Sequence, residues 1–309
     1  MDSARPEGII SHWDIDGLAS AVLVARYLNV DPSNIRLSST GSVEKFVKEL
    51  FKAGVGRIFV LDLNPDAEAL REILKRARSR GRGLVIIDHH EWPIDLLELA
   101  SSLPNVKLVV DPTASCTAEL VKRELLHGAL LDEFHDILVR MAIDDDSFSN
   151  KLPLTPKWRV LLRWEGWDLR YRALEAWLDG ILWPDWAEEK HEKIRRDYEK
   201  LLAEAAKSSE TVVLDDTVLL FAYPDQRVHP SDLHRFLEEG LKRKADLYVF
   251  IYGRGVSMRS DKFDVSTLAR LMGGGGHKRA AGARLSIESA KSARDHIVSL
   301  FSRILKPKR

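Results

Sequence analysis

The first half of the chain alternates short, almost continuous apolar runs with stretches of helical periodicity. The runs fall at residues 8–12, 35–38, 57–61, 84–87 and 106–110, and the helical patterns at 18–28, 43–53, 67–80 and 118–126. Strands that are apolar on both faces belong in a parallel sheet covered by helices on both sides. An α/β domain with a parallel sheet is therefore expected over residues 1–150. Open sheets of this kind bind ligands beyond the carboxyl ends of their strands, where the strand order reverses. Three of the expected strands run into polar groups there: Asp14-Ile15-Asp16, Asp62, and Asp88-His89-His90.

The texture changes after residue 150. Six of the eight tryptophans lie between Trp158 and Trp186, and a charged helical run follows to Lys207. The segment 151–210 reads as a helical connector. Its indoles either pack it onto the first domain or offer bases a stacking platform. From Thr211 the pattern becomes α+β. Strands are expected at 212–214 and 218–223 around an Asp215-Asp216 turn, then at 247–252 and 256–260. Helices are expected at 231–244 with Ser231 as N-cap, at 265–272 and at 289–304. The predicted organisation is a parallel-sheet domain (1–150), a helical connector (151–210) and a smaller α+β domain (211–309).

Composition narrows the function classes. The 309 residues suffice for two cores, and 47 basic side chains cancel 47 acidic ones. No global field announces a polyanion partner, so any nucleic-acid surface has to be a local basic patch. The single cysteine, Cys116, excludes an internal disulfide and fits a reducing cytosol. Residues 1–6 lack the apolar core of a signal peptide and no run approaches a membrane span, so a cytoplasmic protein without a membrane partner is expected.

The candidate chemistry sits in five places. His12-Trp13-Asp14-Ile15-Asp16-Gly17 sets three metal-ligand types at a strand end, where alternate residues of an extended segment converge. Carboxylates crowded this closely repel unless a cation lies between them. Asp88-His89-His90 places two imidazoles after a buried strand, where they need partners. Asp62 ends a third strand, and Asp144-Asp145-Asp146 ends the helical run 134–142. Imidazoles with several carboxylates and no thiolate suit Mn²⁺, Fe²⁺ or Zn²⁺, and the excess of oxygen donors tilts toward Mn²⁺ or Mg²⁺. The ligands suffice for two ions that share a carboxylate, a clamp for in-line displacement at phosphorus. Lastly, Gly273-Gly274-Gly275-Gly276-His277-Lys278-Arg279 joins an anion-binding run of backbone N–H groups to three phosphate-seeking side chains. Arg259, at a strand end, is expected to help hold the same phosphate.

In order and spacing, these motifs resemble those of the DHH phosphoesterase superfamily. The glycine-rich part is similar to that superfamily's DHH-associated C-terminal domain, as in RecJ-type nucleases and oligoribonucleases. The resemblance covers all but the Trp-rich connector. It implies that His12 and Asp14 bind one ion, that Asp16 and His89 bind the other, and that Asp62 bridges the two. Asp144 completes the second site by counting back from Phe148, with Asp145 as the alternative, because the sequence departs here from the family's Asp-Thr-Gly: Asp144 is followed by Asp145 and Asp146. His90 then contacts the substrate phosphate or acts as the acid near the leaving oxygen, and Asp88 orients its neighbours. Arg259 and Gly274, Gly275, Gly276, His277, Lys278 and Arg279 fix the phosphate.

The resulting expectation is a two-metal phosphodiesterase, with manganese as the first cation and magnesium as the alternative. A metal-activated hydroxide attacks phosphorus in a cleft between the domains. The substrate is single-stranded DNA or RNA, or short oligonucleotides, and the activity is that of an exonuclease. Size and layout look like the compact archaeal members, some of which accompany repair helicases; a helicase or replication partner follows by analogy only. One alternative is a phosphatase or phosphodiesterase acting on nucleoside bisphosphates or cyclic dinucleotides. Another is a metal-free replication scaffold. The two-domain inorganic pyrophosphatases share the N-terminal motifs, but the 273–277 segment tells against them.

Overall fold

The computed structural model describes residues 6–128, 132–253, 255–285 and 290–305. The first five residues of the N-terminal segment, and Ser289 at the start of the expected last helix, lie outside them. The chain forms two compact units, Met1–Lys190 and His191–Arg309.

The first unit follows the expected alternation. Strand β1 (Glu7–His12) leads into helix α1 (Ile15–Leu28), then β2 (Ile35–Ser38), α2 (Val43–Lys52), β3 (Arg57–Leu61) and α3 (Ala67–Arg80). Next come β4 (Gly83–Asp88), α4 (Ile94–Ser101), β5 (Val106–Val110), α5 (Thr117–Glu124) and α6 (Glu133–Asp146). The sheet is wholly parallel in the order β2-β1-β3-β4-β5, so the strand order reverses between β1 and β3. Ile10, Ile58, Val60, Leu84 and Ile86 face one side of the sheet and pack with α2, α3 and α4. Alternate residues Ile9, Phe59 and Ile87 are equally buried on the other side, where α1, α5 and α6 pack together. Helix α1 is buried from Ile15 to Ala25, which explains its lack of a polar face. Helix α4 lies outside the expected set; with eight residues and two of them buried, its periodicity is too short to register.

Helices α7 (Leu154–Trp164) and α8 (Trp167–Leu178) continue the first unit, and α9 (Asp185–Lys207) runs across the unit boundary. The indoles of this region mostly pack on one another. Trp158 is fully buried and meets Trp177, Trp183 and Trp186 edge to face at 5.5, 4.9 and 6.0 Å. Trp158 and Trp177 both donate their indole N–H to the Leu182 carbonyl, at 2.9 and 3.3 Å. Such a cluster combines large apolar burial with satisfied polar edges. Trp158→Ala is therefore expected to cost about 3–5 kcal/mol. In urea unfolding the midpoint should drop with the slope unchanged; a midpoint at the wild-type value would contradict this packing.

The second unit is a six-stranded mixed sheet in the order β10-β11-β9-β8-β7-β6. Its strands are β6 (Glu210–Leu214), β7 (Thr217–Ala222), β8 (Leu247–Tyr252), β9 (Gly255–Arg259), β10 (Gly275–His277) and β11 (Ala280–Arg284). Helices α10 (Pro230–Arg235), α11 (Val265–Leu271) and α12 (Ala290–Leu305) complete it. Only β7 and β8 run parallel. The expected helix 231–244 is corrected at both ends. Pro230 occupies the first turn and keeps His229 extended, so the cap is His229, whose Nδ1 accepts from the Ser231 N–H, rather than Ser231 itself. After Arg235 the chain widens into a π turn, Phe236–Gly240, and stops. No helix of the described residues is long and apolar enough to cross a membrane.

Candidate metal centre

The carboxyl ends of β1, β3 and β4 deliver the acidic and imidazole groups to one edge of the sheet. Asp14 is the N-cap of α1 and accepts the Gly17 N–H at 3.0 Å. Asp16, in the first turn, accepts the Thr117 and Ala118 N–H groups at 2.7 and 2.8 Å, so it also caps α5. Two helix N-termini thus point their positive ends at this acidic edge. Gly17 lies so close to the β1 end that a Cβ there would meet the His12 carbonyl oxygen at 2.2 Å. Asp62 adopts φ +55°, which swings its carboxylate out of the strand path, and it accepts the Thr117 hydroxyl at 3.3 Å. Asp88 is fully buried, with one oxygen 2.8 Å from His90 Nδ1 and the other accepting the Trp92 indole N–H at 2.6 Å.

Three sets of potential ligand atoms in this unit each fit within 4.8 Å: His12, Asp14 and Asp62; Asp16, His89 and Asp146; and Asp62, Asp88 and His90. Asp62 links them. Its Oδ2 lies 3.6 Å from His12 Nδ1, while its Oδ1 lies 3.7 Å from His89 Nε2 and 3.8 Å from His90 Nδ1. His89 Nε2 is 3.9 Å from Asp16 and 3.4 Å from Asp146. Separations of this size are long for hydrogen bonds and suit a small cation lying among the donor atoms.

The electrostatics point the same way. Burial, and then the neighbouring Asp16, Asp14 and Asp88, hold the Asp62 carboxyl well above the ordinary carboxylate range. Burial, followed by Asp16, Asp62 and Asp14, does the same to Asp146. Burial also raises Asp16, against the opposing pull of His89 and the two backbone N–H groups. Asp14 goes the other way: burial disfavours its charge, but His12, 2.6 Å away, and the Gly17 N–H lower its pKa. Burial lowers His89. His12 and His90 are raised because Asp14 and Asp88, respectively, outweigh their burial. Asp146 Oδ2 is buried without a hydrogen bond. Mutually repelling carboxylates and an orphaned oxygen facing an imidazole are what a pair of divalent cations would neutralise, so the residues fit the metals.

Asp144 and Asp145 are directed elsewhere. Asp144 accepts the Ser149 hydroxyl and the Lys151 and Leu152 N–H groups, closing the loop after α6. Those donors outweigh its burial and lower its pKa. Asp145 pairs with the buried Arg159 at 2.5 Å. Neither Asp144 nor the alternative Asp145 is among the grouped candidate ligand atoms; Asp146, beside His89, is. Three consecutive acids on a helix point about 100° apart, so they face three different surroundings: the loop after α6, Arg159 and His89.

In the second unit the glycine run is built differently from an open row of donors. Gly273 and Gly274 donate their N–H groups to Arg270 and Ala269 at the end of α11. Gly275–His277 forms β10, paired with β11. A Cβ on Gly274 would meet the Gly282 oxygen at 2.1 Å, and one on Gly276 the Ala281 Cα at 2.7 Å. Close approach of two strands accounts for these two glycines. Lys278 and Arg279 form the hairpin tip, and Arg279 is paired with Asp261. Arg259 is buried at the end of β9 and donates to the Ser257 hydroxyl and the Met258 carbonyl, both at 2.9 Å.

Residues 8–141 match the family model for the DHH family, N-terminal domain, and residues 215–303 match that for the DHHA1 domain. No curated protein matches the sequence. Among solved structures, the fold is similar to the pGpG-specific phosphodiesterase PggH from Vibrio cholerae, with TM-score 0.55, 15% identity, and coverage of 96% of this chain and 99% of that one. It is also similar to an exopolyphosphatase-related protein from Bacteroides fragilis, with TM-score 0.58, 17% identity and coverage of 98% and 94%. The manganese-bound exonuclease RecJ from Thermus thermophilus matches with TM-score 0.58 at 14% identity, over 98% of this chain and 53% of that one.

Proposed function

Because the chain belongs to the DHH phosphoesterase superfamily, we propose that it uses two divalent ions to hydrolyse phosphodiester bonds in single-stranded nucleic acid or short oligonucleotides. The observation that carries this reading is Asp62, which belongs to the His12–Asp14 set and lies 3.7 Å from His89 of the Asp16–Asp146 set. His12 and Asp14 would hold one ion and Asp16, His89 and Asp146 the other, with Asp62 within reach of both. Mixed carboxylate and imidazole donors favour manganese, with magnesium the alternative. Bound ions supply charge neutralisation at phosphorus and lower the pKa of water. In the reaction a water gives up one proton to solvent as its oxygen adds to phosphorus, the ester P–O bond breaks, and the leaving oxygen takes up a proton. His90 delivers that proton. Its Nδ1 is tied to Asp88, which Trp92 fixes in turn, so the ring is held in one orientation. Arg259, His277, Lys278 and Arg279 hold phosphates of the substrate.

Single-stranded DNA and RNA oligonucleotides labelled at either end should release mononucleotides with Mn²⁺ and none with a chelator. The labelled end that is lost first gives the polarity. Cleavage confined to a dinucleotide such as pGpG would move the substrate to the small-molecule class. No cleavage of either in the metal-loaded protein would overturn the reading, and no bound metal would leave a scaffold as the better one.

A further inference from the structure

Beside the metal ligands, Arg170 on α8 is held in an aromatic stack that phosphodiester hydrolysis does not require. Its guanidinium carbon lies 3.8 Å from the ring centroid of Trp13 and 4.7 Å from that of Trp167. Trp13 is the residue between His12 and Asp14, with its ring 5.2 Å from the His12 imidazole. Trp167 is 44% exposed. Arg170 Nε donates to the Leu162 carbonyl at 2.9 Å. Among the described residues the two terminal nitrogens have neither a hydrogen bond nor an ion-pair partner. Burial and the neighbouring Arg163 pull the group down to about 10, so it is still charged at neutral pH. A half-buried guanidinium whose carbon lies over two indole rings and whose terminal nitrogens make no hydrogen bond is poised for an anion.

We infer that Arg170 binds a phosphate of the substrate other than the one cleaved, with Trp13 and Trp167 holding its plane so that the terminal nitrogens grip phosphate oxygens as a fork. This rests on the reading of the substrate as nucleic acid. Trp13 couples the contact to the metal centre, since the same residue separates two ligands. Trp167 is a positioning residue.

The test is binding of a fluorescent, phosphorothioate-linked single strand to the Mn²⁺-loaded full chain, measured over a range of salt. Arg170→Ala should bind about tenfold to a hundredfold more weakly. Its log–log salt slope should be shallower by about 0.7, the loss of one phosphate contact. Arg170→Lys should restore the slope but not the affinity, because it keeps the charge and loses the fork. Trp167→Ala should weaken binding while keeping the slope. Where Arg170→Ala does not fold, Arg170→Gln takes its place. An unchanged slope in the alanine variant would reduce Arg170 to a support for Trp13 and overturn the inference, as would unchanged affinity. A wild-type protein that binds pGpG but no strand sinks the single-strand reading alone; Arg170 is then judged by the same comparison on pGpG. Wild-type protein that binds neither overturns both.

Discussion

Asp62→Asn is expected to cut phosphodiester hydrolysis by about 10³-fold or more, a loss of roughly 4 kcal/mol of transition-state stabilisation, while leaving the metal-free fold at least as stable as the wild type. The two halves have one cause. Asp62 lies within 3.7 Å of both His12 and His89, so on the proposed two-ion reading removing its charge weakens both ions at once. In the metal-free protein that charge is a burden, because burial and the nearby Asp16, Asp14 and Asp88 all oppose it. The sign follows from linkage. A carboxyl whose folded pKa is raised above its unfolded value destabilises the fold once the pH passes the unfolded value, and an amide removes that penalty. Asparagine also tolerates the φ of +55° at this position, which alanine would not. Thermal melts with chelator and with Mn²⁺ read both effects: the melting temperature without metal should hold or rise, and the gain on adding Mn²⁺ should shrink. A variant that keeps the full Mn²⁺-induced gain would show that Asp62 is not a shared ligand.

The sheet of the first unit was legible because each strand is a short apolar run closed by polar residues, and β2, β3 and β5 begin and end where the pattern places them. The same runs carry the site. When ligands sit directly after buried strands, a local pattern is enough to gather His12, Asp14, Asp16, Asp62 and His89 on one edge. What failed depended on helix phase or on neighbours. The cap of α10 moved by two residues because Pro230 restricts the residue before it, a constraint that outranks the good capping chemistry of Ser231. The glycine run looked like an anion nest, yet two of its N–H groups close α11, and Gly274 and Gly276 make room for β11. Arg170 was invisible for a different reason: its partner Trp13 lies 157 positions away in the chain, and only the folded first unit brings them together.

Asp146 presents the sharpest contrast between motif and geometry, and paired variants settle it. Asp146→Asn should reduce the metal content of the purified, Mn²⁺-loaded protein from two ions per chain toward one and lower the hydrolysis rate by about 10²–10³-fold, since one half of the clamp is gone. Asp144→Asn should keep both ions and lose about 1–3 kcal/mol of stability instead, because the Ser149, Lys151 and Leu152 donors lose a charged acceptor. The helix explains why neighbouring acids do such different work. Successive acids on α6 are turned by about 100°, which sends Asp145 to Arg159 and Asp146 to His89. Asp144 falls on a different face, over the loop that it closes. Repeating the family's spacing literally would select Asp144, whereas the contact with His89 selects Asp146. Metal analysis and urea unfolding on the two proteins separate the roles, because one variant should change stoichiometry and the other the unfolding midpoint. Loss of an ion in Asp144→Asn with two retained in Asp146→Asn would return the ligand to the position that the motif alone suggests.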